Sequence, residues 1–373
     1  MSCTYTEKDN PAYLERFQKK AAEQRIPLSG SLDLTSRCNL DCIHCFLGED
    51  RTASKKEFSV NQWLGIIDEL TEAGCLYLLM TGGEPLLKRG FAEIYTHAKK
   101  NGLIVNIFTN GTLVDADTVT LFKDLPPQAV EISLYGASRD AFESITGKTG
   151  SYERCLSGIR MLVDNDIRVK LKTVLMSGNI DEFHDIETIA AELNVPFRLD
   201  AAIFPRLDHD KAPLDLRVAP EDAVKKEISD PVRLSQWREY YEKRKADIMW
   251  TANDPIYRCM AGVTNFHIDA YGRLKPCLMV DRINVDLSET SFLKGWTEVI
   301  PQIRDRKAES GFQCAGCEKI LLCGYCPAFF ELETGREDVP SDYLCKTAEY
   351  RYKAVVGSIN AGNAGASDFL LSA

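Results

Sequence analysis

Nothing in this chain is built to cross a membrane as a helix, because no apolar run approaches the ~18 residues that spanning a bilayer needs. Positive charge is in the minority, with 45 Lys and Arg against 55 Asp and Glu and a formal net charge of −10. That balance disfavours a nucleic-acid partner held by phosphate contacts. Residues 1–27 are polar and charged and lack the apolar core of a secretion signal. There is no internal sequence repeat. Cysteine is what the chain has in plenty, 13 in 373 residues. Without a secretion signal, that number points to a reducing, cytoplasmic compartment and to metal ligation rather than disulfides. Three cysteines lie between Cys38 and Cys45 and seven between Cys259 and Cys345. Of the others, Cys75 and Cys155 read as small buried hydrophobes.

Strand-like and helix-like patterns alternate along the first half. The spacing predicts strands at Ser31–Leu34, Leu76–Met80, Leu103–Phe108, Ala129–Leu134, Val169–Leu175 and Phe197–Ile203. Between them it predicts helices, among them Ser59–Leu70 with an N-cap serine, Tyr152–Val163 and Asp181–Leu193. Six strand–helix repeats predict a parallel sheet, and six are too few for the closed eight-stranded barrel. The expected fold is therefore α/β, an open, partial (β/α)6 TIM-like barrel, with ligands at the carboxyl ends of its strands.

The expected organisation is a helical extension over 1–27, the barrel over 28–204, linker helices over 205–256, a cysteine-rich unit over 257–350 and a tail over 351–373. Pro205, Pro213, Pro220 and Pro231 punctuate the linker, around a charge-rich helix at Gln236–Lys245. Thr264–Pro276 reads as a β-hairpin turning at Asp269-Ala270-Tyr271-Gly272, and the Ala-, Gly- and Ser-rich last dozen residues read as disordered.

The loop after the first expected strand carries Cys38, Cys42 and Cys45, spaced C-x3-C-x2-C. Structural zinc takes paired knuckles and four ligands, whereas a cubane held by three cysteines leaves one iron open to a small molecule. This spacing resembles the signature of the radical S-adenosylmethionine (SAM) enzymes, in which that molecule is SAM. Thr81-Gly82-Gly83-Glu84-Pro85, at the end of the second strand, is similar to the Gly-Gly-Glu-Pro motif that holds the methionine amino group of SAM. The resemblance implies that Gly82, Gly83, Glu84 and Pro85 form that site, with Glu84 as acceptor. It further implies Asn110 at the third strand end, Ser133 near the ribose and His44 as a flat ring against adenine. Relatives place an arginine near 145–148 for the SAM carboxylate; here Lys148 stands in.

Cys259 and Cys277, then Cys314-x2-Cys317-x5-Cys323-x2-Cys326 and Cys345, resemble the SPASM domain, a small cysteine-rich extension with auxiliary iron–sulfur clusters. The last pair is separated by x2, where relatives have x3. Zinc knuckles are the competing reading for these pairs. The likeness spans residues 28–350 and implies three 4Fe-4S clusters, one binding SAM and two auxiliary. It divides the ligands into Cys314, Cys317, Cys323 and Cys345 for one auxiliary cluster and Cys259, Cys277 and Cys326 for the other. Asp254, His267 and Asp269 are candidate oxygen or nitrogen donors for the remaining iron of the second.

The function so implied is reductive cleavage of SAM and hydrogen-atom abstraction from a substrate, with a reductant such as flavodoxin or ferredoxin. A peptide or protein side chain is the leading substrate. Cys277 is followed by Leu278, where the sulfatase-maturating branch has aspartate. No peptide-recognition domain precedes the barrel, so a separate recognition protein or direct docking is expected. The alternatives are a small-molecule dehydrogenase or cofactor-biosynthesis enzyme, and a zinc-bound interaction module without catalysis. The sequence singles out no catalytic acid or base.

Overall fold

The computed structural model describes residues 11–48, 56–200, 202–248, 254–309 and 311–360. The expected disordered end lies outside the described residues. After helix α1 (Pro11–Glu23), strands and helices alternate as β1 (Ser29–Thr35), α2 (Val60–Glu72), β2 (Tyr77–Gly82), α3 (Phe91–Lys100), β3 (Ile104–Thr109), α4 (Ala116–Asp124) and β4 (Ala129–Ser133). Two helices follow β4, α5 (Arg139–Thr146) and α6 (Ser151–Val163). Then come β5 (Val169–Val174), α7 (Phe183–Glu192) and β6 (Phe197–Asp200). The six strands pair in parallel in sequence order, an open (β/α)6 sheet.

Local chemistry explains the element ends. Ser59 caps α2 in a reciprocal capping box with Gln62. Asp115 and Ser138 cap α4 and α5, and Gly147 ends α5 in the left-handed region at φ +66°. Strand residues alternate between two faces. Leu32 and Leu34 of β1 are buried against the helices, while Ser31 and Asp33 face the barrel interior. Leu32, Trp63, Ile67, Met80, Ile107 and Ile132 belong to one large core between sheet and helices. Burying each such side chain contributes about 1.5–3 kcal/mol.

The structure departs from the sequence expectation in three places. The sixth strand stops at Asp200, whose carbonyl accepts from Leu175, and Ala202, Ile203 and Phe204 turn in to line the interior. The hairpin β7 (Asn265–Ile268) and β8 (Arg273–Lys275) forms as expected, with Asp269 Oδ1 accepting from the backbone N–H groups of Tyr271 and Arg273. However, β7 also pairs in parallel with β1, and β9 (Val285–Asp286) follows β8, so one nine-stranded sheet runs β6-β5-β4-β3-β2-β1-β7-β8-β9. Third, the boundary expected at 350 falls inside a long helix.

The remaining helices are α8 (Pro220–Ile228), α9 (Pro231–Arg244), α10 (Phe292–Lys294), α11 (Pro327–Thr334) and α12 (Asp342–Asn360). Proline opens α8 and α9, where its missing N–H costs nothing. Leu234 and Tyr241 of α9 pack with Leu322 and with Val355 of α12, so α12 continues past 350 to cover an apolar patch. Among the described residues, no helix is long and apolar enough to cross a membrane.

Candidate active site

The site grows from the loop that leaves β1. Asp41 N–H donates to Thr146 O at 2.9 Å and Ile43 N–H to Ile145 O at 3.0 Å, which clamps the loop to the end of α5. Gly147 sits so close to Asp41 O that a Cβ would lie 2.7 Å from it. Asn110 Nδ2 donates to Asn39 Oδ1 (3.0 Å) and reaches Cys38 Sγ at 3.7 Å, while Asn39 Nδ2 donates to Thr112 Oγ1. These contacts set Cys38, Cys42 and Cys45 around one cavity of about 380 Å³. The Tyr135 hydroxyl lies within electrostatic reach of all three thiols. Burial, first of all, pushes the Cys38 thiol up, and Glu84 and Cys45 add to that.

The second wall is the Gly82–Gly83 turn. Gly83 N–H donates to Thr35 O at 2.8 Å and Glu84 N–H to Arg37 O at 2.9 Å, stitching the turn to the cysteine loop. Gly82 has φ +125°, and a Cβ there would lie 2.3 Å from Thr35 O; a Cβ on Gly83 would lie 2.3 Å from Arg37 O. Only glycine tolerates this approach. Gly82, Gly83, Asn110, Ser133 and His44 all line the cavity. His44 packs edge-on against Tyr135 at 4.4 Å, its Nδ1 is buried without a partner, and burial lowers its pKa to about 4. It is thus a neutral ring at neutral pH.

Three expected ligand residues stand elsewhere. Glu84 is fully buried behind the turn. Its Oε1 accepts from Thr109 Oγ1 (2.7 Å) and Leu86 N–H (3.1 Å), and its Oε2 from Asn110 N–H (2.8 Å). Its carboxylate thus braces the end of β3, and Glu84 is not among the residues that line the cavity. Pro85 is buried in the same short turn. Lys148 is exposed on the turn after Gly147, outside the cavity, because α5 ends before the chain reaches the opening. The cations that do line the cavity are Lys172 of β5 and Arg198 of β6, which sequence reasoning missed. Both strands carry further polar residues, Lys170 and Thr173 on β5 and Asp200 on β6, so the sequence alone did not single these two out. Lys172 Nζ lies 3.3 Å from the Phe108 ring centroid, and burial lowers its pKa to about 7.

A polar trio on the opposite wall was also missed as a unit. Ser31 Oγ is 2.8 Å from His267 Nδ1, and Asp33 Oδ2 is 3.4 Å from His267 Nε2, all three lining the cavity. Asp269 is committed to Arg273 (2.6 Å) and to its own turn, and Asp254 lies half-buried ahead of Cys259. His267 is therefore the one of the three sequence-derived donors that faces the cavity.

The C-terminal cysteines fall into two sets. Cys314 is within electrostatic range of Cys317 and Cys345, and Cys323 of Cys345, Cys314 and Cys317. Separately, Cys277 is within range of Cys326 and Cys259, and Cys326 of Cys259. Tyr325 senses members of both sets, Cys314 on one side and Cys326 and Cys259 on the other. Burial pushes the Cys277, Cys314 and Cys323 thiols up to about 12. Leu278 and Met279, just after Cys277, line the main cavity, so the second set adjoins it. Among the described residues no three His, Cys, Asp or Glu converge on a point for a single metal ion.

Three soft thiols around one opening, beside a backbone wall that only glycine can form, fit an iron–sulfur cluster with a small polar molecule next to it. Residues 32–192 match the Radical SAM superfamily. Those residues form a radical SAM domain. The domain accordingly works with SAM and one iron–sulfur cluster. The AdoMet-dependent heme synthase of Methanosarcina barkeri is 25% identical over 333 residues, covering 84% of this chain and 93% of that protein. The sporulation killing factor maturation protein SkfB of Bacillus subtilis is 26% identical over 261 residues, covering 69% of this chain and 61% of that protein. The crystal structure of Streptococcus suis SuiB bound to precursor peptide SuiA shares the fold, with a TM-score of 0.69 at 17% identity over 92% of this chain and 83% of that chain.

Proposed function

We propose that this radical SAM enzyme is a maturase acting on a peptide or protein side chain. The observation that carries the reading is the cavity itself. It runs from the Cys38–Cys45 loop to Leu278 and Met279 beside the Cys277 set, so a substrate inside would touch both. The likeness to SkfB and to SuiB, whose structure holds a precursor peptide, supports a peptide over a free metabolite. When bound and reduced, the cluster with SAM would supply radical chemistry able to abstract a hydrogen atom from a substrate held in the cavity.

The chain's own residues do the rest. Cys38, Cys42 and Cys45 hold the SAM-binding cluster. The Gly82–Gly83 backbone and Asn110 receive the methionine end of SAM, Ser133 the ribose and His44 the adenine face. Lys172 takes the part expected of Lys148 and meets the SAM carboxylate. Cys314, Cys317, Cys323 and Cys345 close one auxiliary cluster. Cys259, Cys277 and Cys326 hold another with one iron left for a substrate or solvent ligand. The electron comes from a carrier such as flavodoxin or ferredoxin, in the cytoplasm, and the peptide docks directly or through a separate recognition protein.

A small-molecule substrate is the second reading. The heme synthase likeness over 84% of this chain favours it, and Arg198 on the cavity wall offers a partner to a substrate carboxylate. The two separate in one experiment. Anaerobically reconstituted protein with SAM and dithionite is given, in parallel, the product of a short precursor-peptide gene adjacent to its own and an iron tetrapyrrole. Mass loss from the peptide supports the maturase; change in the tetrapyrrole alone overturns it.

A further inference from the structure

Beside the start of the cysteine loop, and sharing no lining residue with the main cavity, lies an open concavity lined by Arg37, Phe58, Ser59, Lys88, Arg89 and Glu93. We propose that it docks an acidic one-electron carrier protein that feeds the cluster held by Cys38, Cys42 and Cys45; this rests on the radical SAM reading above.

Charge is the first argument. The whole chain carries a formal net charge of −10, yet cations outnumber carboxylates here. Glu57, a half-buried carboxylate beside it, is committed to the chain's own donors. Its Oε1 accepts from Thr35 Oγ1 at 2.7 Å and Ser36 N–H at 2.9 Å, and its Oε2 pairs with Lys88 Nζ at 3.5 Å and lies 3.9 Å from Arg37. Lys88 also donates to Phe58 O at 2.5 Å. The outward-facing charges are then Arg37, whose side chain is 58% exposed, and Arg89, with Glu93 the one exposed carboxylate of the lining. Lys56, two residues before Phe58, is exposed as well. Neither Arg89 nor Lys56 has an ion-pair partner among the described residues. The N-terminus of α3, capped by Gly90 without a side-chain bond, adds partial positive charge at the same edge.

Position is the second argument. Arg37 directly precedes Cys38, and Ser36, which Glu57 holds, is one residue further back. A partner seated on Arg37 is therefore one residue along the chain from the first cluster ligand. The concavity shares no lining residue with the substrate cavity, so a partner seated here leaves that cavity free. Carriers of single low-potential electrons are commonly acidic proteins, and a basic patch steers them by long-range attraction that salt screens.

The test compares two reductants on the reconstituted holoenzyme and adds a binding measurement. Wild type and the Lys56→Glu/Arg89→Glu double variant are assayed for 5′-deoxyadenosine release with dithionite and with a reduced bacterial flavodoxin, and flavodoxin binding is titrated directly. The expected result with flavodoxin is a loss of about tenfold or more in both rate and affinity in the variant, and a steep fall in wild type with added salt. With dithionite the two proteins stay within about twofold. An unchanged flavodoxin rate, no flavodoxin-driven turnover in wild type, or an equal loss with both reductants overturns the docking site. No 5′-deoxyadenosine from wild type with dithionite overturns the radical SAM reading instead.

Discussion

Ser31 and His267 are register partners on β1 and β7, and their side chains meet at 2.8 Å across 236 residues of sequence. This contact joins the radical SAM barrel to the cysteine-rich half through the sheet itself. It places His267 in the wall opposite Lys172 and Arg198, in the cavity both halves share.

The same strand pair predicts a strict need for glycine next door. A Cβ on Gly30 would lie 2.1 Å from the ring of Phe266, a residue only 3% exposed. Gly30→Ala is expected to destabilise the protein by about 1–3 kcal/mol or more through overpacking. His267→Ala is expected to cost about 1–3 kcal/mol by leaving Ser31 and Asp33 without their partner. Urea unfolding of both variants checks this, and wild-type stability for Gly30→Ala would contradict the β1–β7 packing.

The cysteine sets predict how iron is lost. With the three clusters proposed above, full occupancy corresponds to about twelve irons per chain. Replacing Cys38, Cys42 and Cys45 together by alanine should remove about four irons and all SAM cleavage. Replacing Cys259, Cys277 and Cys326 should remove a different four, about a third of the total, while slow release of 5′-deoxyadenosine without substrate persists. Iron analysis with electron paramagnetic resonance reads both; loss of all iron in either variant would refute independent clusters.

Glu84 predicts a pH dependence. Burial pushes its carboxyl up to about 7, against the donors Asn110, Thr109 and Leu86, which pull it down. The folded protein then holds a proton that the unfolded chain releases near 4.5. The resulting stability is fully present below pH 4.5 and is lost as the pH rises through 7, by about 3 kcal/mol at most. Glu84→Gln cannot ionise, so the apoprotein should lose less stability between pH 5 and pH 8. The variant should also bind SAM more weakly at unchanged iron content, because its amide nitrogen faces the Asn110 N–H. A wild-type pH slope in the variant would assign that slope to another group.

Lys172 predicts selective amine chemistry. With its pKa lowered to about 7 by burial, its neutral share at pH 7.5 exceeds that of a solvent lysine by about several hundredfold. Limited acylation followed by peptide mapping should find Lys172 among the first lysines modified, and SAM with an intact cluster should protect it. Labelling of Lys172 that SAM does not slow would remove it from the carboxylate site.

Much of this protein was legible in the sequence because its signals are local. Alternating apolar periods gave the six parallel strands, and the N-cap serine Ser59 marked the start of α2. The C-x3-C-x2-C loop and the Gly82–Gly83 turn named a site that the fold then brought to one cavity, because both follow neighbouring strands. Side-chain direction was less legible. Glu84 and Lys148 matched ligand positions by spacing, yet one is sealed by three internal donors and the other points to solvent, while Lys172 and Arg198 entered the cavity from strands read only as apolar runs. The sequence determined the elements, the turns that only glycine can make and the kinds of ligand atom, since these depend on neighbours a few residues away. Tertiary structure decided that β7 pairs with β1, that the seven later cysteines divide into two sets and that His267 meets Ser31, since each joins residues far apart in the chain whose proximity follows from how whole elements pack.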